Sequence, residues 1–111
     1  MTKEFQDLMY AHGIFRYYCG YDYLEQAVLL VMEEPERLHN LGEDIYKPVA
    51  EKYQTSVKNV EKNIRTIRDY FVQAGGMEYL MKQTGYWYWR DKKPYPRELI
   101  ELLADYLSRD K

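Results

Sequence analysis

The clearest hydrophobic pattern in this chain lies at residues 55–71. Apolar residues recur there at steps of three and four, which places them in one narrow stripe on a helix, with basic residues on the opposite side. Thr55 or Ser56 can cap the first free amides, and no Pro or Gly interrupts the run before Gly75. The pattern predicts an amphipathic helix over about 56–72. Its apolar stripe consists of Val57, Val60, Ile64, Ile67 and Phe71.

A second apolar pattern lies directly before this helix, at residues 46–53. It consists of Tyr46, Val49, Ala50 and Tyr53, and Ala50 is small enough to let two helices approach closely. Two short helices joined by a tight turn are typical of a helix-turn-helix, whose second helix lies in the major groove of DNA. The chain therefore predicts a supporting helix over about 46–53 and a recognition helix over about 56–72.

The remaining segments predict further helices and no strand. A first helix is expected at 2–12, a central helix that is apolar around much of its circumference at 21–34, a short helix at 77–84 and a last one at 97–108. Pro35 starts another helix, and Pro48 predicts either a kink near 46–48 or two consecutive helices. Residues 13–20 are interpreted as an ordered, largely buried connection, and 85–96 as a loop. The expected fold is a single all-α domain of six helices over residues 1–111.

Composition narrows the class of protein. The fractions of 46% hydrophobic and 31% charged residues are those of a folded globular domain. No apolar run is long enough to span a bilayer, and the N-terminus lacks the pattern of a signal peptide, so the expected location is the cytoplasm. Cys19 is the only cysteine, which excludes an internal disulfide and cysteine-rich zinc sites; it is interpreted as a small buried residue.

No cofactor, metal site or catalytic site is predicted. His12 and His39 are isolated in the sequence, without the spacing of a metal motif. Ser56 and Ser108 lack the context of an activated nucleophile. The chain is therefore not expected to be an enzyme.

The distribution of charge is more informative than the net charge of -2. Residues 47–68 contain six bases and two acids, which leaves an excess of acids in the remainder of the chain. Affinity for the phosphate backbone comes from clustered positive charge, and an acidic remainder orients the approach to DNA. The positive charge is thus concentrated where the predicted helix-turn-helix would meet DNA.

Several sequence landmarks match one family in the correct order. They are GYDYLEQAV at 20–28, Ala50, Lys52 and Tyr53, VEKNIR at 60–65, GY at 85–86, and KP with a following ELI within 93–100. From about residue 5 to about 107 the chain resembles the C-terminal, DNA-binding effector domain of stage-zero sporulation protein A, a response regulator of entry into sporulation. The resemblance implies a six-helix transcription-factor domain that binds double-stranded DNA as a head-to-tail pair on repeats of a short box.

The resemblance also suggests which residues contact DNA. Glu61, Lys62 and Arg65 match the family's base- and backbone-contacting positions, whereas Asn59 replaces a usual Arg and Thr66 a usual His. Arg65 is the candidate for a bidentate contact to guanine, and Glu61 for a contact to a cytosine amino group. The residues expected in the major groove are Lys58, Asn59, Glu61, Lys62, Arg65 and Thr66, and those expected near phosphates are Thr55, Ser56 and Arg68.

Partners other than DNA stay open at this point. The family's activator contacts the primary sigma factor of RNA polymerase through the segment after the recognition helix, but residues 79–84 share little with it, so repression or accessory binding is as plausible as activation. No receiver-domain pattern is present, which fits either an excised domain or a stand-alone protein. A rival hypothesis is a protein-interaction module, such as an antagonist of a full-length regulator, that keeps the fold without binding DNA.

The aromatic run at residues 86–90 has two interpretations. Exposed aromatic faces could stack with the bases of a single strand. The favoured interpretation is that alternate residues pack onto the helices and the others are exposed as a protein contact, because Trp and Tyr are frequent interface anchors.

Overall fold

Six α-helices form the domain. The computed structural model describes residues 2–109, and Met1, Asp110 and Lys111 of the predicted 1–111 domain lie outside the described residues. Within residues 2–109 there is no strand, so the prediction of an all-α, six-helix fold is confirmed. The helices are α1 (Thr2–Ala11), α2 (Cys19–Glu33), α3 (Lys47–Lys52), α4 (Val57–Gln73), α5 (Gly76–Thr84) and α6 (Pro96–Ser108).

Helix α2 lies at the centre of the core and packs most extensively against α4 and α6. Its apolar residues point in several directions, so neighbours on more than one side cover them. Burying a side chain the size of Val or Leu stabilises the folded state by about 1.5–3 kcal/mol relative to leaving it exposed. The buried apolar residues of α2 are Tyr21, Leu24, Ala27, Val28 and Val31, while Met32 is only half-buried.

The close approach of α2 to α4 depends on Gly20. A Cβ atom at this position would overlap the Cγ1 atom of Ile67 and the backbone oxygen of Asn63. The glycine therefore lets the first turn of α2 lie directly against the backbone of α4, which sets the position of α4 in the domain.

The segment before α3 contains a π-helical turn rather than a simple kink. A 3-10 turn at Pro35–His39 is followed by π-helical residues Gly42–Tyr46, which continue into α3 without a break. Pro48 has no N–H to donate to the carbonyl of Asp44, its usual partner in an α-helix. Arg37 Nη1 instead donates to this oxygen at 2.6 Å. A distant side chain thus satisfies the carbonyl that the proline leaves without its helical donor.

The connection between α1 and α2 is more exposed than its composition suggests. Ile14 is buried, but Phe15 and Cys19 are exposed and Tyr17 is 81% exposed, so the prediction of a largely buried segment is wrong. Cys19 begins α2 and is exposed, and it lines an open cavity between the start of α2 and α4, so its interpretation as a buried residue is also wrong.

Candidate nucleic-acid interface

Helix α4 is fixed to the domain by a continuous apolar seam. Val60, Ile64, Ile67 and Phe71 are at most 1% exposed, and the helix packs against α2, α3, α5 and α6. Val57 is 39% exposed, because it begins the helix before the seam reaches the core. The Ser56 Oγ accepts a hydrogen bond from the Asn59 N–H at 3.0 Å, which makes Ser56 the N-cap. The seam and the cap together determine which face of α4 is directed outward.

The outward face of α4 is basic. Lys58, Lys62 and Arg65 are exposed. The Arg65 Nη1 lies 3.5 Å from the Glu61 Oε2, and both side chains are nearly half exposed. An exposed pair of this spacing contributes only about 0.3–0.5 kcal/mol, so Arg65 can exchange Glu61 for another partner at small cost. We call Lys58, Lys62 and Arg65 the basic ridge.

Asn59 and Thr55 belong to a hydrogen-bond network beneath the ridge. Asn59 Nδ2 donates to Thr55 Oγ1 at 2.9 Å and lies 3.5 Å from the hydroxyl of Tyr23 on α2. Asn63 Nδ2 donates to Asn59 Oδ1 at 3.0 Å. Both ends of the Asn59 amide are therefore engaged within the chain. Of these partners only Tyr23 is distant along the chain, 36 residues from Asn59.

The Thr66 side chain lies outside the basic ridge and has contacts of its own. Its hydroxyl donates to the Lys62 carbonyl at 3.2 Å, and its side chain is half-buried. It lines a small cavity of about 230 Å³ together with Tyr18, Cys19 and Tyr70. Thr66 thus lies on the side of α4 that faces the start of α2, away from Arg65.

Arg68 is a structural residue in this domain. Its side chain is only 12% exposed, its Nε lies 3.1 Å from Asp69 Oδ1, and its Nη1 donates to the Pro94 carbonyl at 3.3 Å. Lys93 Nζ lies 2.8 Å from the same Asp69 oxygen. The hydrogen bond from Lys93 is the main cause that lowers the pKa of Asp69, and Arg68 adds to it. Arg68 thus attaches the 85–95 loop to α4, and the phosphate contact that the sequence predicts for it would require these contacts to break.

Tyr46 lies buried beside the charged pair of α4. It is 4% exposed, and its hydroxyl has no hydrogen-bond partner among the described residues. Burial raises the pKa of Tyr46 to about 12; the charge of Glu61 adds to the rise and that of Arg65 opposes it. The phenol is therefore uncharged at neutral pH and supports the ridge by packing.

The loop after α5 does not alternate between buried and exposed residues as the favoured interpretation expects. Tyr86, Trp87 and Tyr88 are all about half exposed or more, and only Trp89 packs partly against the core. The backbone turns at residues 88–91, so consecutive side chains do not point to opposite sides as they would on a strand.

Within the described part of the chain, no group of three or more His, Cys, Asp or Glu side chains is arranged to hold a metal ion. None of the described helices combines the length and the apolar character that crossing a membrane requires.

An all-α domain that presents a capped, basic helix on a buried apolar seam has the form of a DNA-binding regulatory domain. Residues 5–107 match the family described as "Sporulation initiation factor Spo0A C terminal", so essentially the whole chain is covered. The chain belongs to this family, whose domains are DNA-binding effectors of sporulation regulation rather than enzymes.

Proposed function

We propose that this domain is a transcriptional regulator that binds double-stranded DNA sequence-specifically, with α4 in the major groove. The observation that carries the proposal is the accessibility of the basic ridge. Lys58 and Arg65 are exposed and seven residues apart, roughly 10 Å along a helix whose diameter of about 10–12 Å fits a major groove about 12 Å wide. The ridge can therefore enter the groove without a rearrangement of the core.

The base contacts are assigned to the exposed residues of α4. Arg65 donates to a guanine in a bidentate contact, and Glu61 accepts from a cytosine amino group in the same groove. Lys58 and Lys62 contact bases or nearby phosphates. Asn59, Thr66 and Arg68 leave the set of direct contacts, because their side chains bind other parts of the chain.

The turn before α4 is assigned to the phosphate backbone. The exposed Ser56 lies at the N-terminus of α4, where free amides and the helix dipole favour a phosphate group. Thr55 contributes by holding Asn59 and hence the shape of this turn. These contacts position the helix and carry no base specificity.

We further propose that two copies bind adjacent boxes head to tail, and that the bound domain contacts a sigma factor of RNA polymerase or a full-length regulator. The first point predicts two protein chains per duplex with two boxes, and one per duplex with a single box. Analytical ultracentrifugation of the complexes measures this ratio directly.

The central experiment is selection of a preferred box from random duplex DNA, followed by titration of variants on that box and on a scrambled duplex. Arg65→Ala should reduce the affinity ratio between the two duplexes by about 5- to 150-fold, equivalent to about 1–3 kcal/mol. Arg109→Ala is the matched control, because Arg109 forms the same kind of exposed pair with Asp105 on α6. The control should leave the ratio unchanged.

Two outcomes would contradict the proposal. An equal loss of affinity on both duplexes for Arg65→Ala would show that Arg65 does not contact a base. No binding of any duplex by the wild-type chain, together with co-purification of a full-length regulator, would favour the interaction module instead.

A further inference from the structure

The loop between α5 and α6 carries a second concentration of positive charge. We call residues 86–95 the cationic loop; it contains three bases, Arg90, Lys92 and Lys93, and one acid, Asp91. Outside this loop and residues 47–68, the chain has seven bases and fifteen acids. The two basic segments are therefore exceptions on an otherwise acidic chain. If they lie close together, they can bind the same anionic partner.

The cationic loop is attached directly to α4. Arg68 binds the Pro94 carbonyl, and Asp69 binds Lys93. Arg68 and Asp69 follow Arg65 in α4 by three and four residues. Residues at this spacing are neighbours on one face of a helix, about one turn apart. The base of the loop therefore lies roughly 5–6 Å further along α4 than Arg65, on the same side of the helix.

The other side of the loop is held by α6. The Tyr95 N–H donates to Glu98 Oε1 at 2.9 Å, and Trp89 Nε1 lies 3.4 Å from the same oxygen. Pro94 is buried between these attachments. The loop thus has a defined position beside the basic ridge.

Two cations of the loop face outward. Arg90 and Lys92 are exposed, and within the described residues neither forms an ion pair with a carboxylate. Lys92 Nζ lies 3.9 Å from the centre of the Tyr88 ring, a cation–π contact that orients the ammonium group without neutralising it. Because Lys92 covers one face of Tyr88, that face is not free for stacking with a base. The arrangement leaves the charge of Lys92 available to an anionic group of a partner.

We propose that the cationic loop binds the phosphate backbone of DNA at the edge of the major groove that α4 enters, with Arg90 and Lys92 each contacting one phosphate. The inference rests on the proposed DNA binding by α4. The loop is attached one turn beyond the base-contacting Arg65, and the sugar–phosphate backbone borders a groove only about 12 Å wide, so the exposed cations of the loop are placed to reach it. The loop then supplies the phosphate contacts that Arg68, bound within the chain, does not.

The test measures how affinity depends on salt. Log affinity falls with log salt, and each lost phosphate contact reduces the magnitude of this slope by about 0.9, so Arg90→Ala and Lys92→Ala should each show this change. For the double variant, the ratio of affinities between about 50 and 200 mM salt should shrink roughly tenfold. Lys3→Ala is the control, because it removes an exposed lysine of α1 and should leave the slope unchanged.

The selected and the scrambled duplex are both titrated, by fluorescence anisotropy. The double variant should lose affinity equally on both, since phosphate contacts carry no base specificity. Thermal unfolding should be unchanged, because both side chains are exposed.

The outcomes separate the two proposals. If the wild type binds the selected box but both single variants keep its salt slope, the loop does not contact phosphates, and only this inference fails. If the wild type binds neither duplex, the proposed function fails and this inference fails with it.

Discussion

Gly20 offers a direct test of how the core positions α4. It lies in the first turn of α2, is buried, and is so close to α4 that an added Cβ would overlap both Ile67 and the backbone oxygen of Asn63. Gly20→Ala therefore forces the two helices apart or distorts one of them. The affected residues lie in the middle of α4, between Lys62 and Arg68.

The expected loss of stability follows from two opposing contributions. Overpacking of a tight core costs typically 1–3 kcal/mol, and the upper part of this range applies because one obstacle is backbone and the other is the fully buried Ile67. Replacing glycine by alanine in a helix contributes up to about 1 kcal/mol in the opposite direction. The net loss should be about 1–2 kcal/mol, which lowers the melting temperature of a domain of this size by roughly 4–15 °C.

The matched control is Gly42→Ala. A Cβ at Gly42 would meet nothing within 4 Å, so this variant should be as stable as the wild type or slightly more stable. Both variants are compared by urea unfolding followed by circular dichroism, and by titration of the selected box, for which Gly20→Ala should also bind more weakly. If Gly20→Ala proves as stable as Gly42→Ala, the argument that this glycine sets the crossing of α2 and α4 is refuted.

Three further predictions concern Tyr46 and Tyr106. Tyr46→Phe should leave stability unchanged or raise it by up to about 1 kcal/mol, because it removes a buried hydroxyl without a hydrogen-bond partner among the described residues. Tyr106→Phe should lower it by about 0.5–1.5 kcal/mol, because it removes the 2.8 Å hydrogen bond between the hydroxyls of Tyr106 and Tyr79; urea unfolding that ranks the two variants in the opposite order would contradict both predictions. Stability should also fall between about pH 10 and pH 12. Burial raises the pKa of Tyr46 from 10.0 to about 12, so the folded state holds a proton that the unfolded state has already released. Unfolding measured across this range should show a shallower fall for Tyr46→Phe, and parallel curves for variant and wild type would exclude Tyr46 as a contributor.

The helices were predictable because their signals are local. The stripe of Val60, Ile64, Ile67 and Phe71 recurs with the period of a helix, and each of these residues is buried. The six-helix, all-α class follows from the same kind of pattern repeated along the chain. A cap by Thr55 or Ser56 was predictable for the same reason. The structure selects Ser56, whose partner Asn59 is only three residues away.

The partners of polar residues were not predictable in this way. Arg68 carries the same chemistry as residues that contact DNA, but it binds the Pro94 carbonyl, 26 residues away along the chain. Asn59 binds its near neighbours Thr55 and Asn63, and only its 3.5 Å contact with Tyr23 joins distant parts of the chain. No periodicity in the sequence records such pairs, because they arise only when separate helices pack together.

The sequence by itself determined which segments form helices, which face of α4 is apolar, and where positive charge is concentrated, because these properties depend on neighbours three or four residues away. Only the tertiary structure decided which polar groups of α4 remain accessible and that the cationic loop is attached to α4 at Arg68 and Asp69. The physical reason is that accessibility depends on the packing of distant segments. Here that packing is set by the contact of Gly20 with α4 and by the attachment of Lys93 to Asp69.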